Sequence, residues 1–167
     1  MTKEVKRNYL EIKSLKDFNE KNKPPGEYFL EILDPINFQL NKFFYKNIGS
    51  KHKWVDRLTW TEKKWIDYVS SDDVETYVLK CKEDLVGFFE LIYHHEKNEV
   101  EIAYLGILVK YQNKKLGSYL LSQAIKESFK KNIDRLWVHT CTLDHKNALN
   151  NYISRGMKIF KTEIINI

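Results

Sequence analysis

Residues 100–109 form an extended, strand-like stretch that runs directly into Tyr111-Gln112-Asn113-Lys114-Lys115-Leu116-Gly117-Ser118, and that loop opens an amphipathic helix. A strand delivering the chain to a helix start gathers free backbone N–H groups and the positive end of a helix dipole at one point. Such a point suits a phosphate or pyrophosphate, and Lys114 and Lys115 add charge at the same place.

The rest of the chain is read around that junction. With 167 residues, 43% hydrophobic and 14% aromatic, it is expected to form one folded domain over its whole length, 1–167. Its charged N-terminus and the lack of any stretch of membrane-spanning length point to a cytoplasmic protein with no membrane partner. Cys81 and Cys141 lie far apart, form no metal or redox spacing, and fit a reducing compartment as free thiols. The net charge of +5 is spread along the chain and interleaved with 23 acidic residues. With no dense basic run and no zinc-finger or aromatic RNA-binding motif, nucleic acid is not an expected partner.

Hydrophobic periodicity and turn residues order the elements. Residues 8–12 and 27–33 read as strands. Asp34-Pro35 reads as a helix start, followed by a stripe of Ile36, Leu40, Phe43, Phe44 and Ile48 that stops at Gly49. Thr59-Trp60-Thr61-Glu62 resembles a capping box and opens a short helix to Val69. Residues 75–82, 85–93 and 100–109 are strands joined by tight links, which implies an antiparallel meander. A helix over 116–130, a buried strand over 135–142, a helix N-capped by Asp144 and ending at Gly156, and a last strand over 158–165 complete the chain. The fold class is therefore α/β in the mixed α+β sense: a central, mostly antiparallel mixed sheet with flanking helices.

That order, with Gln112-Asn113-Lys114-Lys115-Leu116-Gly117 after the last strand of the meander, resembles the GNAT superfamily of acyl-CoA-dependent N-acetyltransferases. The family pattern is Gln/Arg-x-x-Gly-x-Gly/Ala, so Lys115 stands where the first glycine is expected. A second motif, Ala148-Leu149-Asn150-Asn151-Tyr152-Ile153-Ser154-Arg155-Gly156-Met157, is similar to the family's Ala-x-x-x-Tyr-x-x-x-Gly-Phe helix. The resemblance covers roughly residues 72–160, and the helical segment 34–70 falls where such proteins shape the acceptor site.

The resemblance implies acetyl transfer from acetyl-CoA to a primary amine, by direct attack in a ternary complex and without a metal. Pantetheine would lie along Ile107, Leu108 and Val109, with a backbone N–H there meeting the oxyanion. The amides of Gln112, Asn113, Lys114, Lys115, Leu116, Gly117 and Ser118 would hold the pyrophosphate, and Asn147 would reach the pantetheine arm. Glu101 is the candidate general base, with Glu99 in reserve, because an ammonium must lose a proton before it attacks a thioester. Tyr152 is the candidate donor to the departing thiolate.

Trp54, Asp56, Arg57 and Trp60 are dense enough to form an aromatic, charged acceptor pocket, and an arginine in so lysine-rich a chain suggests carboxylate recognition. Tyr104 and His139 are further candidates for its wall. His139 and Cys141, with Asp144 and His145, fit no standard zinc spacing, and His94-His95 reads as a solvated turn. A homodimer is compatible with the sequence. A non-catalytic acyl-CoA-binding module is the alternative; it would need neither Glu101 nor Tyr152.

Overall fold

The computed structural model describes residues 2–167. The chain runs β1 (Glu4–Ile12), β2 (Tyr28–Ile32), α1 (Phe38–Gly49), α2 (Glu62–Val69), β3 (Val74–Cys81), β4 (Asp84–His94), β5 (Glu99–Ile107), α3 (Leu116–Phe129), β6 (Arg135–Cys141), α4 (Ala148–Ser154) and β7 (Lys158–Asn166). All seven strands form one sheet in the order β2-β3-β4-β5-β6-β1-β7. Every neighbouring pair is antiparallel except β5 and β6, which run parallel. This is the mixed α+β sheet with flanking helices that the sequence leads one to expect.

Alternation along the strands sends the two sides of the sheet to two cores. Leu79, Phe89, Ile102, Leu136 and Leu10 pack against α3 and against Tyr152 of α4. Val78 and Phe88, one residue out of step, pack against Phe44 and Ile48 of α1. β1 takes a central place, pairing with β6 on one side and β7 on the other.

Three helix starts differ from the sequence reading. α1 begins at Phe38 with Asn37 as its cap, the Asn37 side chain accepting from the Gln39 N–H, so Asp34 is not the N-cap. Its buried face is Asn41, Phe44, Tyr45 and Ile48, which leaves Ile36 and Phe43 exposed. The local stripe was offset because Asn41 is buried for a polar reason that periodicity does not see. α2 is capped by Thr61, whose hydroxyl accepts from the Lys64 N–H, rather than by Thr59. α4 begins at Ala148, and Asp144 instead closes the turn after β6 by accepting from the Thr140 hydroxyl and the Cys141 N–H.

α4 ends as its sequence suggests. Gly156 takes φ +106, Met157 N–H donates to Tyr152 C=O, and Gly156 N–H donates to Ile153 C=O, which satisfies the last carbonyls. A side chain at Gly156 would also collide with the Asp17 carbonyl oxygen at 2.0 Å.

Candidate active site

The sheet opens where its one parallel pair fails. β5 and β6 are paired only through Glu99–Arg135, Val100–Leu136 and Glu101–Trp137. Beyond that point β5 continues to Ile107 and β6 to Cys141, and the strands diverge. Between them lies a cavity of about 980 Å³, with β5 on one wall, β6 and α4 on the other, and the start of α3 across one end.

A bulge in β5 shapes the first wall. Glu90 faces Tyr104 while Leu91 faces Ile102, so Ala103 is an extra residue without a partner. Without it, Glu101 and Tyr104 would point to opposite faces; with it, both look toward the α1 and α2 side. The β5 edge past Glu101 offers backbone donors and acceptors to the cleft instead of to β6.

Lys115 gives the glycine-poor loop a backbone that glycine usually supplies. Lys115 itself caps α3 in the left-handed conformation, φ 61 and ψ 18, and Asn113 is also left-handed at φ 64. No side chain caps α3, so its first amides are left without protein acceptors. A Cβ at Gly117 would meet nothing closer than Asn151 Nδ2 at 4.0 Å. Uncapped amides, a left-handed turn and an open approach at Gly117 form a cradle that fits a pyrophosphate. Of the loop's side chains, Gln112 is engaged internally, its Nε2 donating to the Ile107 carbonyl at 3.1 Å, and it ties the loop to the end of β5.

α4 supplies the opposite wall. Tyr152 is 8% exposed and faces the cleft. Burial, with a smaller contribution from Asp144, pushes its hydroxyl well above the usual tyrosine range, so it holds its proton at neutral pH. Asn147 lines the cleft as the cap residue of α4. Asn151, which sequence reasoning missed, donates to the Gly117 carbonyl at 3.2 Å and so joins α4 to the start of α3. Its Oδ1 is buried without a partner.

Glu101 stands at the fork of the splay as the last paired residue of β5, at the margin of the cavity rather than among the residues that line it. His94 Nε2 lies 2.9 Å from its Oε1, so His94 is a partner of this carboxylate rather than a solvated turn residue. Glu99, the reserve base, is held by Arg135 through two bonds of 3.1 and 3.0 Å and is not free for that work. His139 lies on the β6 wall, exposed, but to the cleft rather than to open water. Desolvation in that concavity, together with Arg7, holds its pKa below the usual histidine value, while Glu101, Asp144 and Asp56 pull the other way. Burial raises the Cys141 thiol, the wrong direction for a nucleophile. Among the described residues no group of three or more His, Cys, Asp or Glu could hold a metal.

The predicted acceptor pocket is divided. Trp54, Asp56 and Tyr104 line the cleft, and Trp54 packs on Tyr104 with ring centroids 4.7 Å apart. Arg57 and Trp60 do not line it. Arg57 is 6% exposed, and its Nη1 donates at 2.9 Å to Glu90 Oε1, a fully buried carboxylate of β4. The rings of Trp60, Tyr68 and Tyr104 lie over its guanidinium at 4.7, 4.3 and 4.4 Å. The carboxylate that Arg57 recognises is therefore internal, a pairing that sequence separation hides.

The acetyltransferase (GNAT) family matches this chain over residues 27–157, and the chain belongs to that family. No curated protein sequence matches it. Among solved structures, a GCN5-related N-acetyltransferase from Sphaerobacter thermophilus superposes with a TM-score of 0.74 at 11% identity, over 99% of this chain and 52% of that one. This chain thus spans about half the length of that relative. An acetyltransferase from Bacillus subtilis in complex with CoA gives 0.61 at 20% identity, over 80% and 78% of the two chains. An aminoglycoside acetyltransferase from an uncultured soil metagenomic sample gives 0.64 at 14% identity, over 77% and 87%.

Proposed function

We propose that this protein transfers acetyl from acetyl-CoA to a primary amine, with both substrates meeting in the β5–β6 cleft. The observation that supports this most is the splay itself: one cavity joins an uncapped helix start suited to pyrophosphate, an unpaired strand edge suited to a pantetheine arm, and a buried protonated tyrosine. What supports CoA on the protein's own geometry is that the α3 amides lack protein acceptors beside an open approach at Gly117. In this reading residues 112–118 bind the pyrophosphate, and Ile107, Leu108 and Val109 with Asn147 guide the arm.

The ammonium loses one proton to Glu101, directly or through water, and the neutral nitrogen attacks the thioester carbonyl; its second proton passes to water as the tetrahedral adduct collapses. As the amide C–N bond forms, the C–S bond breaks and CoA leaves as the thiolate. A backbone N–H after the Ala103 bulge stabilises the oxyanion. Tyr152 donates a hydrogen bond to the leaving sulfur. Complete proton transfer from a phenol well above its usual pKa of ~10 to a thiolate near ~8.5 would run uphill, so stabilisation rather than full transfer is its contribution. Trp54, Asp56, Tyr104 and His139 form the acceptor wall, and Arg57 with Trp60 supports it from behind.

Thermal unfolding with acetyl-CoA, CoA and ATP tests the binding half. At ~100 times the dissociation constant the CoA forms should stabilise by about 2.7 kcal/mol, and ATP should not. Absence of a shift with acetyl-CoA would end the reading. Release of CoA thiol in the presence of amines tests the chemistry. Glu101→Gln should lower kcat/KM by ~10²-fold or more, and Tyr152→Phe should lower kcat while leaving CoA stabilisation intact. A protein that binds CoA equally well and shows no transfer with any amine would be a binding module.

A further inference from the structure

The charge on the cleft wall narrows the kind of amine that fits. Setting aside Lys115 at the phosphate loop, the charged residues lining it are Lys3, Arg7 and Lys53 against Asp56 and Asp144. Asp144 is already engaged by Thr140, Cys141 and Trp54. Among the described residues Asp56 is the wall carboxylate with no hydrogen bond or ion pair of its own. Acids on the adjoining open face are engaged as well, Glu99 by Arg135 and Glu163 by the Tyr9 hydroxyl at 2.6 Å, and Glu101, beside His94, is the proton acceptor of the acetyl-transfer reading rather than a second binding carboxylate. A polyamine needs several free carboxylates, and this cleft does not have them. An acceptor with one ammonium and one negative group matches it better.

Arg7 is the group that would meet the negative end. It sits on β1 opposite Cys141 of β6 and Glu163 of β7, at the open end of the splay. Its nearest carboxylate oxygen, Glu163 Oε1, is 3.6 Å away and already accepts from Tyr9. Its Nε is buried without a partner, while the side chain as a whole is 30% exposed and faces the cleft. A guanidinium on a cavity wall whose exposed end has only one long carboxylate contact, at 3.6 Å, is suited to end-on, two-bond recognition of a carboxylate. Tyr9 lies opposite His139, so Arg7 and His139 are diagonal neighbours across the β1–β6 pair, about 7–8 Å apart at the backbone.

We infer that the acceptor is an amine that also carries a carboxylate, an amino acid or a peptide end, with Arg7 binding the carboxylate and the amine presented between Asp56, His139 and the thioester. The inference rests on the acetyl-transfer reading, and two readouts keep them separable. The first is transfer to straight-chain ω-amino acids of increasing length, each compared with the alkylamine of the same length, whose amine has nearly the same basicity. The second is calorimetric binding of the same compounds, the common amino acids and dipeptides to the CoA-saturated protein.

The expected kcat/KM ratio of amino acid to alkylamine is about 10–100 at the best spacer length, as charge-assisted hydrogen bonds allow. In Arg7→Gln that ratio should fall to within about threefold of one, chiefly through KM, and Arg7→Lys should restore part of it. Stabilisation by CoA in both variants reports that they are folded. A ratio near one in the parent protein, a ratio unchanged by Arg7→Gln, or no binding by any carboxylated amine would each overturn the inference. Arg7-dependent binding without transfer would uphold it and overturn the acetyl-transfer reading instead.

Discussion

On the side of the sheet that looks toward α1 and α2, β4 presents a glutamate that meets an arginine among aromatic rings, and a few strands away β1 presents a second arginine among aromatic rings and carboxylates. The difference between them is enclosure. Around Glu90 the helices close completely: Arg57, Asn41 and Tyr68 all donate to the carboxylate, and Asn41 also donates to Thr76. Burial and the Glu90 charge drive the Tyr68 hydroxyl far above its usual pKa, so the phenol remains a donor. Around Arg7 the sheet opens to the cavity. Tyr9, Trp137 and Phe160 form an open floor, and the guanidinium keeps donors without partners. The same residue types therefore serve architecture where they are saturated and recognition where they are not.

Removing each cation separates the two cases most sharply. Arg57→Met leaves Glu90 buried without its counter-charge and should cost about 3–5 kcal/mol in denaturant unfolding. Replacing both partners by apolar residues should recover much of that loss, because the pair's mutual attraction largely offsets its own desolvation. Arg7→Gln, at a part-exposed site with a long contact, should cost no more than about 1 kcal/mol. Equal costs at the two sites would remove the distinction between them.

A smaller effect sharpens the same contrast through pH. Desolvation, and then Arg7, holds the His139 pKa below 6.5 in the folded protein, against opposing pulls from Glu101, Asp144 and Asp56. The folded state therefore favours neutral His139. Its contribution to stability is fully present above the unfolded pKa, near 6.5, and is lost as pH falls from there toward the folded value. NMR titration of the imidazole should place its midpoint below 6.5 and move it upward in Arg7→Gln. A midpoint that does not respond to Arg7 would mean the guanidinium is too far away or too well screened to act on the cleft.

The meander, the α3 junction and the α4 motif were all legible in the sequence, because each is a local pattern: alternation over 74–107, an apolar stripe from Leu116, and a glycine at the end of α4. What escaped depends on which distant strands become neighbours. Nothing near Arg7 announces that β1 will slot between β6 and β7 and carry it to the cleft. Nothing near Arg57 announces Glu90, 33 residues on. His94 lies only seven residues from Glu101, yet a loop reading of His94-His95 concealed that both face one side of the β4–β5 pair. The Ala103 bulge was invisible for a related reason, since a break in register exists only relative to a partner strand.

Lys115 yields the smallest expected effect, and there a lysine holds a backbone conformation that glycine adopts without strain. Its φ of 61 is the left-handed conformation that a glycine at this place would adopt freely. A non-glycine residue held there is strained by roughly 1–2 kcal/mol, and glycine gives back about 0.5–1 kcal/mol through its more flexible unfolded chain. Lys115→Gly should therefore stabilise the free protein by about 0.5–1 kcal/mol in denaturant unfolding. If the lysine ammonium also meets a phosphate, the same substitution should weaken CoA binding and make it less dependent on salt. A variant that is more stable and binds CoA as well as the parent would show that the amides of the α3 start suffice, and that Lys115 is simply a side chain the turn tolerates. A variant that is more stable but binds more weakly would show strain retained at the α3 start for the sake of its charge, the same unsatisfied condition that marks Arg7 at the other end of the cleft.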